Sequence, residues 1–144
     1  MTSSTPDSSG RTTHDVSRMT RLLIPPWRTS ASIILRLEGL VVMLGAVAAF
    51  QVLDGSWGFF ALLFLAPDLF MLGYLRGPKM GAWVYNFAHT YSTPAALGVW
   101  WFVTPELDLL PIAAIWTAHI GLDRALGLGL KEVTGFKDTH LQRV

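Results

Sequence analysis

The stretch that decides the fold is WTAHIGLDRALGLGL, residues 116–130, an apolar run of helix length that carries His119 and Asp123. His119 and Asp123 are four residues apart, so a helix places them on one face, one turn from each other. A pair with this spacing offers two ligands to a metal ion, or lets the acid fix the tautomer of the imidazole. The sequence therefore predicts a polar pair inside an apolar helix.

The composition is typical of an integral membrane protein. Of 144 residues, 51% are hydrophobic and 15% are charged, which is too apolar for an ordinary soluble domain of this length. The chain has no cysteine, so any metal must be held by histidine and carboxylate ligands. The net charge of +1 gives no sign of nucleic-acid binding, and no nucleic-acid partner is predicted.

Four apolar runs follow a polar N-terminal stretch, and each is close to the roughly 20 residues that cross a bilayer. Residues 1–31 are predicted to be a disordered and interfacial tail, residues 32–130 a transmembrane domain, and residues 131–144 a cytoplasmic tail. The four runs cover residues 33–53, 57–75, 82–103 and 109–128. Short links between them force neighbouring helices to be antiparallel. The prediction is an all-α, four-helix transmembrane bundle of up-and-down topology.

Charge predicts the orientation of this bundle. With the N-terminus inside, all eleven Lys and Arg residues lie in cytoplasmic segments or at cytoplasmic helix ends. The two outer loops then hold only the acids Asp54, Glu106 and Asp108. This distribution follows the positive-inside rule. It predicts a multi-pass protein of the bacterial cytoplasmic membrane, in contact with lipid and with both termini in the cytoplasm.

Polar side chains inside the four runs fall in one layer. Counting about 1.5 Å per residue from the cytoplasmic helix ends places them about 7–13 Å deep. An acid in hydrocarbon costs roughly 2.5 kcal/mol or more on insertion scales, so three acids at this depth indicate a function. The predicted members of the pocket are Glu38, Asp68, Asn86, His89, Thr93, His119, Asp123 and Arg124.

Three of these residues also have a purely structural interpretation. Glu38 paired with Arg36 or Arg124 would serve only to fix helix packing, since charges at membrane depth are usually paired. Asp68 would cap the turn that Pro67 frees, and His89 would be a hydrogen-bonding residue between helices.

Five sequence blocks carry a likeness to a known family: LRLEGL (35–40), LAPDLFMLGYL (65–75), YNFAHTY (85–91), AHIGLDRALGLGLK (118–131) and GFKDTHL (135–141). They resemble the DUF4260 family of small bacterial multi-pass membrane proteins. The resemblance covers everything after about Ile33. It implies the same multi-pass topology and carries no assigned activity.

A second, looser likeness lies in the order PDL, AHTYS and AHIGLD, residues 67–69, 88–92 and 118–123. It is similar to the PDxD, HRxxTHS and SHxxLD blocks of the YdjM-like membrane-bound metal-dependent hydrolases. This resemblance implies that Asp68, His89, His119 and Asp123 are metal ligands. The sequence departs from those blocks at Phe70, Asn86 and Glu38.

The first of four functions that the sequence leaves open is a metal-dependent hydrolase. Asp68, His89, His119 and Asp123 would hold one or two divalent cations, zinc first, and the metal would activate water against a lipid-like ester or amide. Glu38 would be the free acid or base, with Asp123 as the second catalytic carboxylate. Asn86, Thr93 and Arg124 would support the site.

The other three functions use the same layer differently. A carrier or proton relay would need a homo-oligomer, because four helices are few and no interrupted helix is evident in the sequence. Haem held by His89 and His119 is disfavoured by three nearby acids. A non-catalytic accessory subunit would use the polar layer only for packing. Asp138 and His140 are candidate additional ligands from the C-terminal tail.

Overall fold

Five α-helices and one long 3₁₀ segment form the part of the chain that the structure describes. The computed structural model describes residues 30–105, 107–133, 139 and 141. In chain order the elements are α1 (Ser30–Val52), α2 (Trp57–Phe64), the 3₁₀ segment (Ala66–Arg76), α3 (Pro78–Ala88), α4 (Ser92–Trp101) and α5 (Leu109–Leu126). A single bridge between Lys131 and Thr139 is the one β-type pairing within these residues. The prediction of an all-α fold is confirmed.

The second predicted run is helical but changes type part-way along. α2 ends at Phe64, since Pro67 has no N–H to donate to the Leu63 carbonyl. The chain continues as an 11-residue 3₁₀ helix, Ala66–Arg76. Runs of 3₁₀ helix longer than three or four residues are uncommon and often mark a functional segment. Asp68 lies in the first turn of this unusual helix.

The third predicted run is two helices, and the expectation of one helix over residues 82–103 is wrong. α3 ends at Ala88 and α4 begins at Ser92, so the chain is interrupted at residues 89–91. Pro94 lies in the first turn of α4, where its missing N–H leaves no bond unmade. The break is therefore placed by Pro94, and it leaves His89 as the residue that caps α3.

α5 is the central helix, and it packs against α1, α2 and α4. It crosses α1 with the two backbones in contact. A Cβ atom on Gly121 would lie 2.7 Å from the Met43 nitrogen, and one on Gly39 would lie 2.5 Å from the Arg124 Cβ. Small residues at a crossing are the usual means by which membrane helices approach closely. This crossing sets the position of the helix that carries His119 and Asp123.

The outer surface of these helices is apolar. Large hydrophobic side chains face outward on α1 and on the second run, among them Val41, Leu62 and Leu72. Ser30–Val52 and Trp57–Arg76 are long and apolar enough to cross a membrane. Most of their residues are not buried by the rest of the protein, which is consistent with contact between these helices and a lipid bilayer.

Candidate metal site

Four ionisable side chains from three elements meet inside the bundle. Asp68 belongs to the 3₁₀ segment, His89 caps α3, and His119 and Asp123 lie one turn apart on α5. Both histidines and Asp123 are buried, while the side chain of Asp68 is 37% exposed. These are the four residues that the sequence groups as candidate ligands, and the structure brings them together.

The two imidazoles face each other, with a carboxylate near both. His89 Nε2 lies 3.3 Å from His119 Nε2. Asp68 Oδ1 lies 3.7 Å from the first of these nitrogens and 3.6 Å from the second. Asp123 Oδ2 lies 3.6 Å and 3.8 Å from the same two atoms. Each carboxylate therefore contacts both rings rather than one.

These separations match the spacing of ligands around a small divalent cation. Zinc binds histidine nitrogen and carboxylate oxygen at about 2.0–2.2 Å, and in a tetrahedron such bonds put the ligand atoms about 3.3–3.6 Å apart. The triangle formed by Asp68, His89 and His119 has edges of 3.3, 3.6 and 3.7 Å. This buried group could hold a metal ion.

His89 is oriented by the backbone around it. Its Nδ1 lies 2.9 Å from the Tyr85 carbonyl oxygen, which can only accept, so Nδ1 carries the proton and Nε2 presents a lone pair to the cluster. Histidines that bind metal almost always have such a partner on the other nitrogen. Arg124 Nη2 donates to the His89 carbonyl at 3.2 Å, and across the break the Thr93 hydroxyl donates to the Phe87 carbonyl.

His119 has an apolar environment on its other side. The edge of its ring packs against Phe64, with the ring centroids 5.4 Å apart. Its Nδ1 is buried and has no hydrogen-bond partner in the described part of the chain. The His119 Nε2–H can donate to His89 Nε2, which leaves Nδ1 unprotonated. A metal on Nε2 would move the proton to Nδ1, where a buried donor without an acceptor costs about 1–3 kcal/mol.

Tyr85 is a residue of the site that the sequence analysis missed. Its ring stacks on His89, with centroids 3.7 Å apart and planes 11° from parallel. Its hydroxyl donates to Asp123 Oδ2 at 3.3 Å. The signal was present in YNFAHTY, because Tyr85 precedes His89 by four residues and so shares its helical face.

Asn86, predicted to support the site, instead holds the C-terminal segment against α3. Its Oδ1 accepts from the Lys131 N–H at 2.7 Å, and its Nδ2 donates to the Lys131 carbonyl at 2.9 Å. The Lys131 Nζ then lies 5.3 Å from the centre of the Tyr85 ring. Burial lowers the pKa of the Lys131 ammonium group, and the Asp123 carboxylate opposes that shift.

Glu38 is not brought to the cluster. It is exposed on α1, because the neighbouring Gly39 is the residue that faces α5 and successive helical residues point about 100° apart. Glu38 instead lines a shallow groove on α1 together with Ile34, Leu37, Val41 and Val42. Asp138 and His140 lie outside the described residues.

A family model described as Domain of unknown function, DUF4260, matches residues 32–144. The chain belongs to the DUF4260 family. The resemblance inferred from the five sequence blocks is thus confirmed, and the four clustered residues all lie within the matched part of this DUF4260 chain. Comparisons with curated proteins and with solved structures found no match, and the likeness to the YdjM-like hydrolases is not shown.

Proposed function

We propose that this DUF4260 protein is a zinc-dependent membrane hydrolase whose metal is held by Asp68, His89 and His119. The observation that carries the proposal is the convergence of two Nε2 atoms and one carboxylate oxygen, 3.3–3.7 Å apart, in a buried position. Two histidines and one carboxylate are a ligand set of catalytic zinc sites, in which a fourth position is kept for water. Bound zinc lowers the pKa of that water to about 7 and so supplies a nucleophile.

Asp123 is the base in this proposal. Its Oδ2 lies within 4 Å of both ligand nitrogens, so it is next to any metal bound there and within reach of a water on that metal. Glu38 is exposed on α1 and is not part of the cluster. The sequence analysis assigns the acid and base roles to Glu38 and Asp123. In this proposal Asp123 takes both roles.

The apolar side chains around Asp68, the most exposed proposed ligand, favour an apolar substrate. Asp68 is the most exposed member of the cluster, and it lies on the 3₁₀ segment beside outward-facing Leu65, Leu69 and Leu72. A molecule that reaches the metal past these side chains crosses apolar surface. The substrate class is therefore an ester or amide that carries an acyl chain.

The proposed arrangement in the membrane has four passes. α3 and α4, at about 1.5 Å per residue, are roughly 17 and 15 Å long, and together they match a hydrocarbon core of about 30 Å. Both termini are cytoplasmic, and the membrane is the bacterial cytoplasmic one, because the Lys and Arg residues then follow the positive-inside rule. Since the chain has no cysteine, single cysteines test the topology: a membrane-impermeant maleimide should label Asp108→Cys in intact cells and Lys79→Cys only after lysis.

Metal binding is the first test of the function. Protein purified in detergent should contain near-stoichiometric zinc by elemental analysis, and a visible spectrum without a Soret band would separate zinc from haem. Asp68→Asn, His89→Ala and His119→Ala should each weaken zinc binding by more than roughly 100-fold, beyond the effect of outer partners. His14→Ala is the matched control and should bind zinc as the wild type does. Zinc affinity unchanged in all three ligand variants would refute the site.

Hydrolysis is the second test. Zinc-loaded protein should cleave a long-chain p-nitrophenyl ester, and Asp123→Asn should retain zinc but lose most of that activity. Zinc-loaded protein no faster than the zinc-free form would contradict the hydrolase.

The interrupted chain at Asp68 and His89 favours a second candidate, a metal carrier that works as a homo-oligomer. Broken helices with ligands at the breaks are typical of transporters. In this case Asp123 would be a fourth ligand, and proteoliposomes containing the protein would take up zinc, as followed with a trapped zinc-sensitive dye.

A further inference from the structure

We infer that Tyr85 is the positioning residue of the metal site, and that it sets the placement of one ligand and of the neighbouring carboxylate at once. The inference rests on the proposed metal site and deepens it. Tyr85 is 2% exposed, and it contacts His89 through its ring and its carbonyl and Asp123 through its hydroxyl.

The first two contacts fix the imidazole of His89. The bond from Nδ1 to the Tyr85 carbonyl, at 2.9 Å, selects the tautomer whose Nε2 is free to bind a metal. The stacked phenol ring, 3.7 Å away and nearly parallel, limits rotation of the imidazole about χ2. The ligand nitrogen is therefore aimed before a metal arrives, which reduces the ordering that binding requires.

The third contact fixes the carboxylate of Asp123. The Tyr85 hydroxyl donates to Oδ2, the same oxygen that faces both histidine nitrogens. A carboxylate held by a buried donor keeps one rotamer, so its charge stays beside the metal position. Hydrogen-bond partners of metal ligands typically contribute 10–100-fold to metal affinity or activity. Asp123 lies beside the metal position and is not one of the three proposed ligands, so the lower end of that range is expected for the hydroxyl.

The two roles can be separated by two substitutions. Tyr85→Phe removes the hydroxyl and keeps the ring and the carbonyl, so it should act through Asp123 alone. Tyr85→Leu also removes the ring and should act through His89 as well. Tyr91→Phe is the matched control, because it deletes the same hydroxyl from a tyrosine that is 37% exposed.

The experiment measures Co²⁺ affinity and the Co²⁺ visible spectrum of the full chain in detergent, at one pH. Tyr85→Phe should weaken Co²⁺ binding by about 10-fold, and this loss should disappear when Asp123 is already Asn. Tyr85→Leu should weaken binding further, and its extra loss should persist in the Asp123→Asn background, since it acts through His89. Tyr91→Phe should match the wild type in both readouts.

The outcomes are distinguishable. A wild-type protein that binds no Co²⁺ or Zn²⁺ overturns the proposed metal site itself. A wild-type protein that binds Co²⁺, with Tyr85→Phe identical in affinity and spectrum, leaves the site standing and overturns the role of Tyr85. A Tyr85→Phe loss that is equally large with Asn at position 123 also overturns it, because the hydroxyl would then not act through Asp123. The melting temperatures of the metal-free variants check the fold. If Tyr85→Phe and Tyr85→Leu both lower the melting temperature but leave the Co²⁺ affinity unchanged, Tyr85 contributes to packing alone.

Discussion

The backbone contact between α1 and α5 gives a quantitative prediction that links the fold to the site. A Cβ atom at Gly121 would lie 2.7 Å from the Met43 nitrogen and 2.9 Å from the Gly39 carbonyl oxygen, whereas ordinary contact begins at 3.4 Å. Neither neighbour is a flexible side chain, so Gly121→Ala must push the two helices apart by about 0.7 Å at this point. Overpacking of this kind costs typically about 1–3 kcal/mol.

The same displacement should reach the metal site. Gly121 lies between His119 and Asp123 in the sequence, and metal sites tolerate shifts of only about 0.2 Å in ligand distances. We expect Gly121→Ala to lower both the melting temperature in detergent and the zinc affinity. Gly45→Ala is the matched control on α1, because a Cβ there meets nothing within 4 Å. A Gly121→Ala protein that melts at the wild-type temperature and binds zinc with the wild-type affinity would refute the close crossing of α1 and α5.

Three further predictions concern residues around the site. Glu38→Gln should bind zinc with an affinity within about twofold of the wild type, since Glu38 is exposed on α1. A loss of affinity as large as that of a ligand variant would show that Glu38 contributes to the site. Asn86→Ala should release the Lys131 backbone from α3 and so speed proteolysis after Gly127. Asn86→Asp keeps only the hydrogen-bond acceptor and should be cleaved at an intermediate rate. Cleavage of both variants at the wild-type rate would contradict these two hydrogen bonds. Arg124→Ala should destabilise the end of α3 by roughly 1 kcal/mol, because one bond to a backbone carbonyl is lost, and an unchanged melting temperature would argue against that bond.

Much of the candidate site was predictable because it depends on spacing along helices. His119 and Asp123 lie one turn apart in the structure, as four-residue spacing requires. Asp68 and His89 were assigned to the same layer by counting residues from helix ends, and they lie within 4 Å of His119 or of each other. Counting residues along a helix predicts position along the helix axis, at about 1.5 Å per residue.

Direction around a helix was harder to predict. Residue counting assigns Glu38 to the same layer, but Glu38 is exposed on α1, since Gly39 takes the position against α5. Sequence patterns of apolar residues give little rotational information in a membrane helix, because lipid-facing and core-facing side chains are both apolar. Tyr85 was missed for a related reason: tyrosine is common at membrane interfaces, and only its distance from His89 distinguished it.

The breaks in the second and third runs connect the fold to the proposed chemistry. A 3₁₀ segment contains Pro67 in its first turn, and a full interruption of the helix precedes Pro94. In the proposed four-pass arrangement, irregular backbone would need protein or water to satisfy its polar groups. The Arg124 guanidinium and the Thr93 hydroxyl bond to carbonyls beside the break.

Both irregular segments meet at the histidine pair. The hydrogen bond that the two imidazoles can make without metal has to break when a metal binds. Without metal, one imidazole can donate to the other across 3.3 Å, and the buried Nδ1 of His119 needs no acceptor. With metal, that nitrogen carries a proton and has no partner within the described residues, which costs about 1–3 kcal/mol. A cost of this size would weaken metal binding by roughly 5- to 150-fold. His119→Gln removes the nitrogen that bears this cost, whereas His89→Gln does not, because the Tyr85 carbonyl already accepts from His89 Nδ1. His119→Gln should therefore weaken zinc binding less than His89→Gln, and equal losses in the two variants would count against the cost.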